Sequence, residues 1–507
     1  MGRGKNYKTD RYYALEAFFY DDDLLRFARY LCTDAAKREI GLTVVLNGDI
    51  FDLLRIEPEK VTSSKSVLDR RFGAPHTPTL AARTIAQILQ GHRGFVQAIA
   101  EILRCGHEVI ILPGNHDIEV QWAPVQNEIR HAIASVLHEL MPPLEIEWAL
   151  SGLKIDSWFY YEPGRIWIEH GCQYDPENAY HYYLRGDLSN VDDTVHEAEH
   201  DMPLGNFFQK YLYNGFGHVT FIVPTSKSNP RYIKWLLLNQ PSLFLNVMAS
   251  HLPFALQVLR RLAKTTVTQS AKHHLQSQHE KSLRQLANTS GLGNRLLAIE
   301  KLKAVNADVL RAIRSLSWQF VMGFATFGLV VLSGLGLWFV GLMAINALNA
   351  GFILKTVLFM ALNLFMLITA AGALAYSLLK NSRITPVKPI QRAAQRIIDI
   401  LDVPIVTFGH THEETATRLQ RPHGETAWYY NTGTWIAVFT HDVLIPRERV
   451  QYTFLRVRGN EPELLHWSPD RGEPLPVILL DEKTMENWGQ VPVVSDKATA
   501  RAPPKPR

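Results

Sequence analysis

Hydrophobic spacing along the chain starts as an alternation of helices and buried strands. Apolar positions recur with helical spacing from Leu24 to Ile40, and the short apolar run Leu42 to Leu46 then closes on Asn47-Gly48. The alternation repeats: Leu80 to Cys105 reads as helix, and Glu108 to Leu112 as a strand ending in Pro113-Gly114. Arg165 to Glu169 reads as a third strand, running directly into His170-Gly171. Far downstream Gln391 to Leu401 reads as helix, Pro404 to Phe408 as a buried strand before Gly409-His410, and Trp428 to Phe439 as a later strand. This pattern predicts an α/β domain, whose sheets gather chemistry at the carboxyl ends of their strands.

Between these halves the pattern changes twice. Pro176 to Thr266 is rich in aromatics without a clean period, and within it Tyr232 to Leu262 is apolar with basic ends. That stretch fits helices lying on a bilayer surface or a packed helical cap. Lys272 to Arg314 reads as a long, polar, basic helix. Ser315 to Leu354 and Thr356 to Leu379 then contain no Asp, Glu, Lys or Arg, with a turn expected over Asn346 to Gly351. A spanning helix needs about 20 apolar residues, so both stretches suffice and a two-helix transmembrane hairpin is expected. Lys301, Lys303, Arg311 and Arg314 precede it, and Lys380, Arg383, Lys388 and Arg392 come after it. The positive-inside rule puts both flanks, and so both halves of the α/β domain, on the cytoplasmic side of a multi-pass membrane protein.

The resulting organisation is a first domain part over 1–225, a helical membrane-proximal insert over 226–316 and the hairpin over 317–380. A second domain part covers 390–480, and a disordered tail rich in Pro, Lys and Arg covers 490–507. The N-terminus has no apolar run of the kind that marks a secretory signal. A net charge of +4 over 507 residues is too small to predict a nucleic-acid footprint. Cys32, Cys105 and Cys172 are too scattered for a disulfide framework, which fits a reducing compartment.

Four polar elements follow the expected strands: Gly48-Asp49-Ile50-Phe51-Asp52, Gly114-Asn115-His116-Asp117, His170-Gly171 and Gly409-His410-Thr411-His412. Carboxylate, amide and imidazole together form a donor set that suits Mn, Fe, Zn or a similar divalent ion. Two such ions, about 3.5–4 Å apart, can clamp a phosphate and activate a water.

GDxxD, GNHD, a lone His and GHxH, in this order, resemble the calcineurin-like metallophosphoesterase family. The likeness covers roughly residues 1–225 and 390–480, and Asn431-Thr432-Gly433-Thr434-Trp435 adds to it. It implies a four-layer α/β sandwich interrupted by the helical insert and hairpin, with two divalent metal ions (Mn, Fe, Zn or Mg). Asp49 would bridge the metals, Asn115, His170 and His410 would complete the second, and His412 would bind the first. His116 would hydrogen-bond the scissile phosphate, steered by Asp117, and Asp52 would orient a neighbouring imidazole.

The family normally opens with a strand ending in Asp-x-His, which supplies two ligands of the first metal, and no Asp-x-His occurs in this chain. Gly2-Arg3-Gly4-Lys5 resembles the segment directly downstream of that element in the family. Two expectations stand: a start displaced downstream of the true one, or a protein that lacks those ligands. As written, the chain is expected to hold one metal firmly and to turn over slowly. The implied function is hydrolysis of a phosphomonoester, phosphodiester or pyrophosphate by metal-activated hydroxide, with lipid-linked substrates included and membrane lipid as a partner. The alternative is a noncatalytic membrane scaffold that keeps the fold.

Overall fold

The computed structural model describes residues 1–55 (except 7 and 14), 67–73, 77–184, 201–211, 214, scattered positions from 241 to 257, 269–304, 333–380, 387–436 and 452–477. Most of the apolar stretch from Tyr232 to Leu262, the first half of the first charge-free run, the late strand beyond Ile436 and the tail lie outside the described residues. The chain forms two compact units. One comprises Met1–Ala307 with Thr385–Arg507, and the other Asp308–Ile384.

In chain order the first unit begins with the two-residue strands β1 (Lys5–Asn6) and β2 (Arg11–Tyr12), followed by α1 (Asp21–Arg38) and β3 (Thr43–Asn47). Helices α2 (Val67–Phe72), α3 (Pro78–Gly91) and α4 (Arg93–Arg104) lead to β4 (Glu108–Leu112). Then come α5 (Ala123–Leu140), α6 (Pro143–Ser151), β5 (Leu153–Ile155), β6 (Phe159–Glu162), β7 (Ile166–Glu169), α7 (Leu204–Tyr211), α8 (Gln269–Thr289) and α9 (Asn294–Glu300). The second unit holds α10 (Ser333–Ala347) and α11 (Phe352–Lys380). The first resumes with α12 (Val387–Leu401), β8 (Ile405–Phe408), β9 (Thr415–Gln420), β10 (Thr426–Asn431), β11 (Thr453–Arg458), β12 (Glu461–Ser468) and β13 (Glu473–Pro476).

The architecture is mixed α/β. Strands β3, β4 and β5 form a parallel sheet. A second sheet, β6-β7-β8-β10-β9, is parallel at β7–β8 and β8–β10, and β11-β12-β13 form an antiparallel third. Alternation along each strand divides the core. Val109 and Ile111 of β4 face a cluster with Ile85, Ile99 and Ile129 from α3, α4 and α5. Trp167, Val406, Phe408 and Tyr429 of the second sheet face Ile397, Ile398 and Leu296 from α12 and α9. Its other face carries Ile166, Ile405 and Tyr430, which meet Leu455 and Leu464 of the third sheet. Helices therefore cover the outer faces of two sheets, the arrangement that buries an apolar face on each.

Three expected elements differ in extent. The helix expected over Leu80 to Cys105 is two helices, because His92 takes a non-helical φ of −119° and ψ of 54° between them. The late strand stops at Asn431, where its Oδ1 accepts from Gly433 N at 3.0 Å and Gly433 turns to φ +65°. The basic helix from Lys272 is cut after Thr289, at the left-handed Gly291 and Gly293.

His92 breaks its helix because its ring is spent on two carboxylates. Its Nε2 lies 3.1 Å from Glu16 and its Nδ1 2.8 Å from Asp21, with no solvent exposure. Glu16 also accepts from the amides of Gly2, Gly4, Ala17 and Phe18, so it clamps the N-terminal loop. Burial opposes both charges. The pairing nevertheless holds Glu16 below its ordinary 4.5 and His92 above its ordinary 6.5. Glu16 thus contributes stability that is present above its unfolded value and is lost as pH falls through its folded one. The His92 contribution is complete below 6.5 and is lost as pH rises through its folded value. Urea unfolding should therefore show maximal stability in the mildly acidic range. Glu16→Gln should lower stability there by about 3 kcal/mol and flatten the acid limb; an unchanged profile would refute the clamp.

Candidate functional site

Parallel pairing brings the four polar elements to one end. β3 and β4 run parallel in register through Asn47↔Leu112, and β7 and β8 through Ile168↔Thr407. Each pair therefore releases its loops side by side, and Gly409 N and His410 N both donate to His170 O, at 3.1 and 3.0 Å. Asp49 stands in the left-handed region at φ 51°, after Gly48 at φ 74°. A Cβ on Gly48 would lie 2.5 Å from His170 Nδ1, and one on Gly114 2.1 Å from Asp49 Oδ1. Glycine at these two positions is what lets the loops approach.

Asp117 ties the first two loops together. Its Oδ1 accepts from Gly114 N at 2.6 Å and Asp49 N at 3.2 Å, and its Oδ2 from Ile50 N at 2.8 Å and Phe51 N at 3.1 Å. Burial and the charge of Asp49 push Asp117 up to about 6, against these amides. It lies beneath the centre rather than on His116. The carboxylate on His116 is Asp52, whose Oδ1 sits 2.9 Å from His116 Nδ1. Burial works against an imidazolium at His116, but Asp52 and Asp49 raise it to about 9. Held this way, His116 carries a proton on Nε2 at neutral pH and can donate to an anion.

Two of the remaining imidazoles, His170 and His410, are anchored through one nitrogen each. His170 Nδ1 donates to Asn47 O at 3.1 Å, which turns Nε2 toward Asp49 Oδ2, whose charge raises this imidazole against its burial. His410 Nε2 donates to Asp175 Oδ2 at 3.0 Å, which assigns the lone pair to Nδ1. A carbonyl or carboxylate fixing the far nitrogen is the usual support of a metal-ligating histidine. Asp49 Oδ1 accepts from His116 N at 2.9 Å, and its Oδ2 lies 3.3 Å from His170 Nε2, out of line for a hydrogen bond. Burial disfavours the Asp49 anion, but His170 and His116 hold it well below the usual carboxylate range. Burial, joined by its histidine neighbours, pushes His412 down to about 4, against the pull of Asp49.

Asn115 is held by a carboxamide network. Its Nδ2 donates to Asn206 Oδ1 at 3.1 Å, while Asn206 Nδ2 and Tyr180 OH donate to Asn115 O at 2.7 and 2.9 Å. Asn115 Oδ1, His170 Nε2 and His412 Nδ1 are buried with no hydrogen-bond partner. Buried polar atoms without a partner are costly, and an amide oxygen and imidazole nitrogens are donors that a cation can take. The residues thus fit a divalent ion by chemistry. Among the described residues, no three His, Cys, Asp or Glu side chains are gathered into a ready-made metal cluster. The donors instead line one cavity of about 1110 Å³, which includes Asp49, Asp52, Asn115, His116, His170, His410 and His412.

Seven of the eight expected residues line this cavity, and Asp117 does not; it is spent on backbone amides. Asp175, Asn178 and Asn206 were missed by sequence. Asp175 follows His170-Gly171 in a stretch without periodicity. Its one local signal is the turn sequence Asp175-Pro176-Glu177-Asn178, where its Oδ1 accepts from Glu177 N at 3.0 Å. Comparison of the chain with protein-family models, curated proteins and solved structures finds no match.

Asp52 is the first of the two carboxylates that raise His116, so Asp52→Asn should bring the His116 titration down from about 9 toward 6.5. Nitrogen-15 NMR of metal-free protein reads this directly. An unmoved titration would remove Asp52 from that role.

Proposed function

We propose that this chain is a metal-dependent phosphoester hydrolase of the calcineurin-like type, anchored in a membrane. One observation carries the reading. Asp49, Asn115, His170, His410 and His412, from loops at four strand ends, line a single cavity with the Asp52-bound His116. Asp49, Asn115, His170 and His410 would hold a divalent ion, and Asp49 with His412 would share in a second. When bound, such ions supply a Lewis acid for the phosphate and lower the pKa of a water.

The chain's own groups do the positioning. Asp175 and the Asn47 carbonyl hold the two imidazole rings, so no reorientation is needed on binding. His116, cationic against Asp52, binds a phosphate oxygen and can return its Nε2 proton to the departing oxygen. Asp117 keeps the GDxxD and GNHD loops in register by taking four amides. Phosphomonoesters, phosphodiesters and pyrophosphates all meet these demands, lipid-linked ones among them.

The membrane half of the reading rests on α11. Its 29 residues extend about 43 Å, against a hydrocarbon core of about 30 Å. Phe352–Thr369 is apolar with none of it buried, and among the described residues it is the one helix long and apolar enough to cross a membrane. The shorter α10 packs antiparallel on it: Trp338 Nε1 donates to Asn363 Oδ1, and the Cβ positions of Gly334 and Gly341 face Met366 and Leu362. We infer that the two cross together as a hairpin, with the α/β unit on the cytoplasmic side.

A second reading, a noncatalytic membrane scaffold, is favoured by the first-metal side, where Asp49 and His412 are the donors among the described residues. With Mn²⁺ and an aryl phosphodiester, the hydrolase reading predicts turnover that falls about 10²–10⁴-fold in His116→Ala. Metal binding with no turnover would select the scaffold. For the anchor, Leu364→Lys with Ile368→Lys should release the protein from lipid vesicles in flotation, each charge costing about 3 kcal/mol. Continued flotation would contradict a spanning α11.

A further inference from the structure

One cation in the cavity wall is nearly bare of partners. Arg55 ends the short 3₁₀ turn Leu53–Arg55, directly after the GDxxD loop, and its side chain is 5% exposed. It lines the same cavity as Asp52, His116 and Asn115. Its Nε is buried with no hydrogen-bond partner. Its ion-pair partner among the described residues is Asp52, 3.9 Å from Nε to Oδ2, too long for a hydrogen bond. The other oxygen of Asp52 is committed to His116 Nδ1 at 2.9 Å. A guanidinium offers five N–H donors in a planar fork. Burying it with one loose ion pair is costly unless an anion enters the cavity and takes those donors.

The turn that carries Arg55 is held from both sides. Asp52 Oδ1 accepts from Arg55 N at 3.2 Å. Asn214 Nδ2 donates to Leu54 O at 2.7 Å, and Gln209 Nε2 of α7 donates to Asn214 Oδ1 at 2.8 Å. Gln209 itself lines the cavity. The guanidinium is therefore presented on a fixed backbone.

We propose that Arg55 binds a second phosphoryl group, next to the one held by His116, so that the preferred substrate is a diphosphate. The proposal rests on the hydrolase reading and narrows it. Arg55 and His116 stand on the two oxygens of one carboxylate, so the two cations are neighbours in one cavity. A phosphomonoester or simple phosphodiester has one phosphoryl group, which a bound metal and His116 already satisfy. A diphosphate adds oxygens on the adjoining phosphorus, and arginine takes such oxygens two at a time, where lysine offers a point charge. Hydrolysis then joins the water oxygen to the phosphorus at His116 and breaks the bridging P–O bond. The departing oxygen takes the His116 proton, which a proton of the water replaces, and the departing phosphate stays on Arg55. The role of Arg55 is specificity.

Full-length protein loaded with Mn²⁺ in lipid nanodiscs is titrated by calorimetry with methylphosphonate and with methylenediphosphonate, neither of which has a P–O–P bridge to cleave. Bound metal favours the diphosphonate in every variant, so the change on substitution is what counts. Arg55→Gln should weaken methylenediphosphonate about tenfold more than methylphosphonate, the scale of one charged hydrogen bond. Arg55→Lys keeps the charge and should show the same selective loss, smaller in size, should the Gln variant not fold. Equal weakening of both ligands, or weakening of neither, overturns the proposal and leaves the hydrolase reading standing. Binding of neither phosphonate by the unsubstituted protein overturns the hydrolase reading and the proposal with it.

Discussion

The centre depends on one buried carboxylate. Asp117 has no exposure and collects four backbone amides from two loops that are more than sixty residues apart in sequence. Isolating a carboxylate from water is expensive, and charge-assisted hydrogen bonds from backbone N–H are what offset it. That arrangement dictates the rest. With the loops pinned, Asp49 is held in its left-handed turn, its Oδ1 takes the amide of His116, and Gly114 becomes a position with no room for a Cβ. Asp52, on the same loop, then falls within reach of His116 Nδ1.

The second pair of loops is organised by strand pairing. β7 and β8 are adjacent and parallel although more than two hundred residues separate them, and His170 O receives the amides of Gly409 and His410. The helical insert and the apolar unit interrupt the chain between these strands without entering their ladder. Such a crossover tolerates a long insertion because loop-closure entropy grows only slowly with length. An apolar helical unit can therefore sit inside the domain in sequence and leave the polar loops of its two halves side by side.

Much of this was written locally. Apolar runs ending in Gly-Asp, Gly-Asn or Gly-His mark β3, β4 and β8 and their loops, since a strand and the glycine turn that ends it are short-range features. What sequence misjudged is tertiary. Asp117 follows His116 directly, which invites the expectation that it steers that ring. The fold sends it to backbone amides and hands the ring to Asp52. Asp175 has no periodic context, so its pairing with His410, more than two hundred residues on, is visible only in three dimensions. His92 sits in a continuous helical pattern, and the break there comes from Glu16 and Asp21, which no helical window contains.

The claim most exposed to contradiction is that imidazole nitrogens at these strand ends bind a divalent ion. Electron spin-echo spectroscopy of the full-length protein loaded with Mn²⁺ reads it directly. The geometry predicts nitrogen modulation from histidine, weakened in His170→Ala and in His410→Ala. A Mn²⁺ spectrum with no nitrogen coupling, or one unchanged by both substitutions, would contradict it.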